Sequence, residues 1–155
     1  MRVGGRTLIL GVALAGLLAG AGYLAYERLL GATATAPDSA RLALGGALYG
    51  AHCAACHGAE LEGEPNWRQR KPDGLLPAPP HDQSGHTWHH PDGQLFEITK
   101  RGTAALVGSD YRTAMGPFGA VLSDDEIRAV LAYIKSRWPE NIRARQAGIT
   151  ERAGN

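Results

Sequence analysis

Cys53-Ala54-Ala55-Cys56-His57 is the stretch of this chain whose residue types and spacing can do chemistry. Two thiols three positions apart, with an imidazole directly after the second, form the pattern of covalent c-type haem attachment. Each thiol adds across one vinyl group, which pins the porphyrin edge along a single helical turn. The adjacent His57 is then carried under the iron as a ligand on the proximal side. The same cysteines also admit a thiol–disulfide redox pair, half of a zinc site, or a structural disulfide. A zinc site needs a second ligand pair of similar spacing, and the chain has no other cysteine. A redox pair has no need of a histidine in the next position.

The elements around the motif must position it. A length of 155 residues supports one domain plus extras. The formal net charge of +1 gives no polyanion-binding surface, so nucleic acid is not expected as a partner. Glycine is abundant at 21 and aromatic residues are sparse at 6%, which suits a small helical domain with long loops and a thin core. A bound haem would supply apolar volume that such a core lacks. Ala40 to His52 reads as a first helix, with Leu44, Leu48 and His52 in one row and Gly45 and Tyr49 beside it. Glu60 to Pro80 carries Pro65, Pro72, Pro77, Pro79 and Pro80 with Trp67, Arg68, Arg70 and Lys71. That proline density predicts an extended loop. Pro91 to Arg101 reads as a short helix with Leu95 and Ile98 on one face and Gly102 as its stop. In the closing helix Ser123 and Glu126 form a capping box, and Ile127, Val130, Leu131 and Ile134 make the apolar stripe before Pro139. Glu140 to Asn155 is polar and is expected to fray or form a loose tail.

Before the first helix, Thr7 to Tyr26 runs for twenty residues without a charge, flanked by Arg2 and Arg6 on one side and Glu27-Arg28 on the other. At about 1.5 Å per residue this spans about 30 Å, the thickness of a bilayer's hydrocarbon core. The arginines predict a cytoplasmic N-terminus, a single pass through a bacterial inner membrane, and the rest of the chain in the periplasm. The alternative is a signal peptide cut after Ala34. Gly16-x-x-x-Gly20 offers a possible helix-pairing face. The expected layout is anchor 1–28, linker 29–39, domain 40–138 and polar tail 139–155.

Met115 is the only methionine besides Met1 and sits in a loop of glycines and Pro117. A thioether sulfur as sixth ligand favours ferrous iron, and Met115 is the candidate, against the alternative of a methionine that fills a core gap. With these features in order, residues 40–138 resemble a class I cytochrome c domain, an all-α fold. The resemblance rests on the first helix, CAACH, a long loop, a middle helix, the methionine loop and the closing helix. Gly45 and Tyr49 match the family's glycine–aromatic pair, and Val130 and Tyr133 match the positions that cross it. Gly116 stands between Met115 and Pro117, where many relatives have proline directly after the methionine.

The resemblance implies one covalent haem c, with Cys53 and Cys56 as attachment points and His57 and Met115 as iron ligands. It also implies a proline carbonyl that accepts from His57, with Pro79 or Pro80 as candidates. Pro80 and Trp88 are counted among the cofactor-binding residues. His81, His86, His89 and His90 are the rivals to Met115 for the sixth position. They are also a candidate second metal site, or side chains that bond haem propionates or are simply solvated. The implied function is single-electron transfer between membrane respiratory or photosynthetic complexes, with lipid contacted through the N-terminal helix and no small-molecule substrate. Two other functions compete: a haem subunit of a larger membrane oxidoreductase, or a sensor or peroxidase-like enzyme with an open distal side. No catalytic residue is expected.

Overall fold

One glycine decides which side of the first helix is buried. Gly45 lies so close to the closing helix that a Cβ there would collide with the backbone carbonyl of Ala129 and meet the Tyr133 Cβ at 3.0 Å. The helix therefore turns its Gly45–Tyr49 side inward, while Leu44 remains 46% exposed. The row Leu44–Leu48–His52 is thus not the buried face; only Leu48 packs against the core. This geometry comes from a computed structural model that describes residues 38–108 and 110–154. The expected membrane span and most of the linker lie outside the described residues. Among the described residues, no helix is long and apolar enough to cross a membrane.

The chain divides into two compact units, Met1–Ser39 and Ala40–Asn155. In the second, every regular element among the described residues is helical. Helix α1 covers residues 38–52. It is followed by α2 (Ala54–His57), a 3-10 turn (Thr87–His89), α3 (Asp92–Arg101), α4 (Thr103–Val107), α5 (Asp124–Ser136) and α6 (Glu140–Gly154). The core is a cluster of Tyr49, Leu61, Val130, Ile134 and Trp138. Tyr49 and Tyr133 approach with ring centroids 5.5 Å apart, which joins α1 to α5. Burial of Trp138, at 2% exposure, is worth about 3–5 kcal/mol against alanine.

The capping box of α5 forms as expected: the Glu126 amide donates to Ser123 Oγ at 3.4 Å, and the Ser123 amide donates to Glu126 Oε2 at 2.8 Å. Its buried residues are Ile127, Ala129, Val130 and Ile134. Pro91 caps α3 and Gly102 ends it. Residues 60–80 form no helix, and the loop is closed by its own bonds. Glu64 and Ala78 exchange two of these: the Glu64 amide to the Ala78 carbonyl at 2.9 Å, and the Ala78 amide to Glu64 Oε2 at 2.6 Å.

Residues 140–154 differ from the expected loose tail. They form a 15-residue helix that returns to the domain. The Gln146 side chain is fully buried, and its Nε2 lies 3.2 Å from the His90 carbonyl and 2.7 Å from Asp92 Oδ1. Thr150 Oγ1 accepts from the Asp92 amide at 3.1 Å, and Lys135 bonds both carboxylate oxygens of Asp92. Ile142 packs against the core cluster, and these polar contacts hold the rest of the helix. Beyond Gly102 the chain also forms the short helix α4, which no local pattern announces.

A methyl group added at Gly45 must displace backbone rather than a flexible side chain. Gly45→Ala should therefore cost about 1–3 kcal/mol, read as a lower urea midpoint with an unchanged slope. An unchanged midpoint would contradict the close approach of α1 and α5.

Candidate functional site

Cys53 and Cys56 bracket a single turn that continues α1. The Cys53 amide donates to the Tyr49 carbonyl, and the His57 amide to the Cys53 carbonyl, each at 2.9 Å. One non-helical residue, Cys53, separates α1 from α2. Positions three apart on such a turn share a side. Cys53 is half-buried and Cys56 exposed, and both thiols are free. Burial, reinforced by the neighbouring Cys56, pushes the Cys53 thiol up to about 11. A thiol–disulfide catalyst needs a lowered thiol, so this environment suits a redox pair poorly. Among the described residues, no group of three or more His, Cys, Asp or Glu side chains is placed to hold a metal ion.

His57 ends the turn and is 8% exposed. Its Nδ1 lies 2.8 Å from the Pro79 carbonyl oxygen. A carbonyl can only accept, so Nδ1 carries the proton and Nε2 keeps its lone pair. Burial lowers the affinity of the ring for a second proton; the Pro79 bond and the Glu64 carboxylate oppose this more weakly. The imidazole is thus neutral, oriented and ready to donate through Nε2. Two adjacent thiols on one turn, followed by such a nitrogen, are the donor set that haem c requires.

Of the two candidate prolines, Pro79 supplies the carbonyl, and Pro80 does not. The reason is steric. A Cβ at Gly63 (φ +69°) would meet Pro80 N at 2.5 Å and the Pro79 carbonyl carbon at 2.7 Å. On the other flank, Gly85 packs against the Pro80 carbonyl so closely that a Cβ would collide with it. The proline pair is wedged between two bare glycines, with Pro80 turned to Gly85 and Pro79 to His57. Trp88 packs against the same core cluster as Cys53, donates its indole N–H to the Gln83 carbonyl at 3.3 Å, and lies under the Arg145 guanidinium.

Met115 is half-buried, and its amide donates to Thr113 Oγ1 at 3.0 Å. The hydroxyl of Thr103, the first residue of α4, lies 4.0 Å from its sulfur. The loop is tied to α3 by Phe118 and Gly119, whose amides donate to the Thr99 and Lys100 carbonyls at 3.0 Å. The Phe118 ring meets His52 edge-on at 6.5 Å, which brings this loop to the residue before Cys53.

Of the four clustered histidines, His86 and His90 meet edge-on with centroids 5.5 Å apart, and each ring has a further partner. His81 stacks on His57, with centroids 4.0 Å apart and 22° between planes. His86 stacks on Trp67 at 5.3 Å, with the Arg68 guanidinium also against that indole. His89 lies on Trp88, and His90 Nδ1 is 3.2 Å from Gln94 Oε1. The His81 ring thus lies flat on the flank of the His57 imidazole. Burial, with His57 and His86 nearby, holds the His81 ring neutral. Sequence reasoning missed the stacking of His81, the Thr87 bond that accompanies it, and the Gly63/Gly85 wedge. Each joins residues distant in sequence and leaves no local pattern.

The model of the family described as Cytochrome c matches residues 42–138, well over half of the chain. No curated protein and no solved structure matches it. With the motif, the oriented imidazole and this match together, the chain belongs to the cytochrome c family, the haem-based electron carriers, and its cofactor is one covalently bound haem c with its iron.

Proposed function

We propose that this chain is a single-electron carrier in which Cys53 and Cys56 form the two thioether bonds and His57 and Met115 are the axial ligands. Bound there, haem c supplies one-electron ferric–ferrous chemistry. The observation that carries the reading is the 2.8 Å contact of His57 Nδ1 with Pro79, which leaves Nε2 as the donor. The Pro79 carbonyl fixes the tautomer and increases the donor strength of the ring. Met115 contributes a soft sulfur that favours the reduced state. Its support is the placement of its loop, tied to α3 and reaching His52 through Phe118. With His57 and Met115 holding the iron, the group would supply electron transfer alone, for which no acid, base or nucleophile would be required. Trp88 serves as an apolar neighbour of the bound group.

The uncharged run Thr7–Tyr26, with Arg2 and Arg6 before it, supports a retained anchor and a domain on the periplasmic side of a bacterial inner membrane. Residues 29–39 then act as a tether, and the electron donor and acceptor are membrane respiratory or photosynthetic complexes.

Three outcomes follow. Acidified acetone should leave all the haem on the wild-type polypeptide and none on a variant carrying Cys53→Ala and Cys56→Ala. Met115→Ala should lower the midpoint potential and let cyanide bind the oxidised protein, as followed by redox titration and absorbance. A Met115→Ala protein that matches wild type in both would place another ligand at the sixth position. The intact protein should sediment with membranes, resist high salt and be released by detergent; a mature N-terminus at Thr35 would instead identify a signal peptide.

A further inference from the structure

His81 is held in place without help from His57. Its Nδ1 lies 2.7 Å from Thr87 Oγ1, and Thr87 is itself buried. Its amide donates to the Leu61 carbonyl at 2.8 Å, and its carbonyl accepts the indole N–H of the buried Trp138 at 2.6 Å. The Tyr49 ring meets it edge-on at 6.5 Å. Leu61, Tyr49 and Trp138 all belong to the core cluster, so the His81 ring is an extension of the core. His57 is tied more lightly. Among the described residues its ring makes one polar contact, to the Pro79 carbonyl. Hydrogen bonds at carbonyl oxygens tolerate a broad range of directions, so this bond selects the tautomer but fixes the ring plane only loosely. The flat face of His81, 4.0 Å away and 22° from parallel, supplies the missing constraint.

We propose that His81 is a positioning residue that sets the plane of the His57 imidazole about its bond to the iron. The inference rests on the reading of His57 as the proximal ligand. The orientation of an axial imidazole over the porphyrin decides how the iron's two π-type d orbitals split, and therefore the g-values of the oxidised low-spin centre. A ring free to rotate samples several orientations and broadens the signal. Its loss would also admit water beside His57, and water favours the oxidised state, which carries the greater charge.

The test uses the haem-loaded full chain. His81→Ala should retain covalent haem but shift and broaden the electron paramagnetic resonance g-features and lower the midpoint potential. His81→Phe keeps a flat ring but loses the bond to Thr87, so its line shape should be much narrower than that of His81→Ala and no narrower than that of Thr87→Val. Thr87→Val, which removes only the bond to His81, should broaden the spectrum in the same sense and to a smaller extent. Wild-type line shape and potential in His81→Ala would overturn the proposal. If that variant fails to fold, a wild-type spectrum in Thr87→Val would overturn it equally. Nitrogen hyperfine coupling from labelled histidine in wild type separates the two readings. Its absence overturns the ligation by His57, and this inference with it; its presence with an unchanged His81→Ala spectrum overturns this inference alone.

Discussion

Because a carbonyl oxygen has no proton to give, the contact between His57 and Pro79 determines which ring nitrogen is free to bind a metal. Much of the surrounding structure exists to hold that carbonyl where it is. Gly63 and Gly85 remove the side chains that would push the proline pair away, and the reciprocal bonds of Glu64 and Ala78 fix the residue before Pro79. On the other side, Tyr49 donates from its phenol to the Gly58 carbonyl at 2.8 Å, which anchors the residue after His57. Burial pushes the ionisation of that phenol well up, so the donor is kept at any ordinary pH. The histidine end of the motif is therefore gripped through two adjacent residues by groups that cannot change role.

The protein achieves this with a small core. Five buried side chains form its central cluster, and much of the remaining order comes from backbone and side-chain hydrogen bonds in loops. Helix α6 belongs to the same scheme. Through Gln146 and Thr150 it bonds to His90 and Asp92, at the end of the segment that carries His81 and Thr87. It lies beyond the 42–138 span of the family match and supports the histidine-bearing loop.

The attachment motif, the capping box of α5 and the helical ends at Pro91 and Gly102 were legible in the sequence. Each is a local pattern whose chemistry operates within a few residues. The proline-rich loop was legible as non-helical for the same reason. What escaped was set by contacts between distant positions. Pro79 and Pro80 are equivalent acceptors by local criteria, and only the packing of Gly63 and Gly85 distinguishes them. Leu44 has a stronger claim to burial by hydropathy than Gly45, yet the close approach of the Ala129 backbone selects the glycine side. The four histidines from His81 to His90 look like one cluster in the sequence, whereas only part of it persists: His86 and His90 meet edge-on, and the rings otherwise go to His57, Trp67, Trp88 and Gln94. Helix α6 has no apolar stripe to announce it: one apolar residue, Ile142, reaches the core, and side-chain hydrogen bonds of Gln146 and Thr150 do the rest.

The pair of axial ligands is tested most directly by proton nuclear magnetic resonance of the reduced wild-type protein. A side chain bound over the centre of a porphyrin feels its ring current. The Met115 methyl group should therefore appear as a sharp three-proton line far upfield of every other methyl, accompanied by strongly shifted ring protons of His57. A spectrum with no such methyl line, or with shifted ring protons from a second histidine, would contradict His57/Met115 ligation.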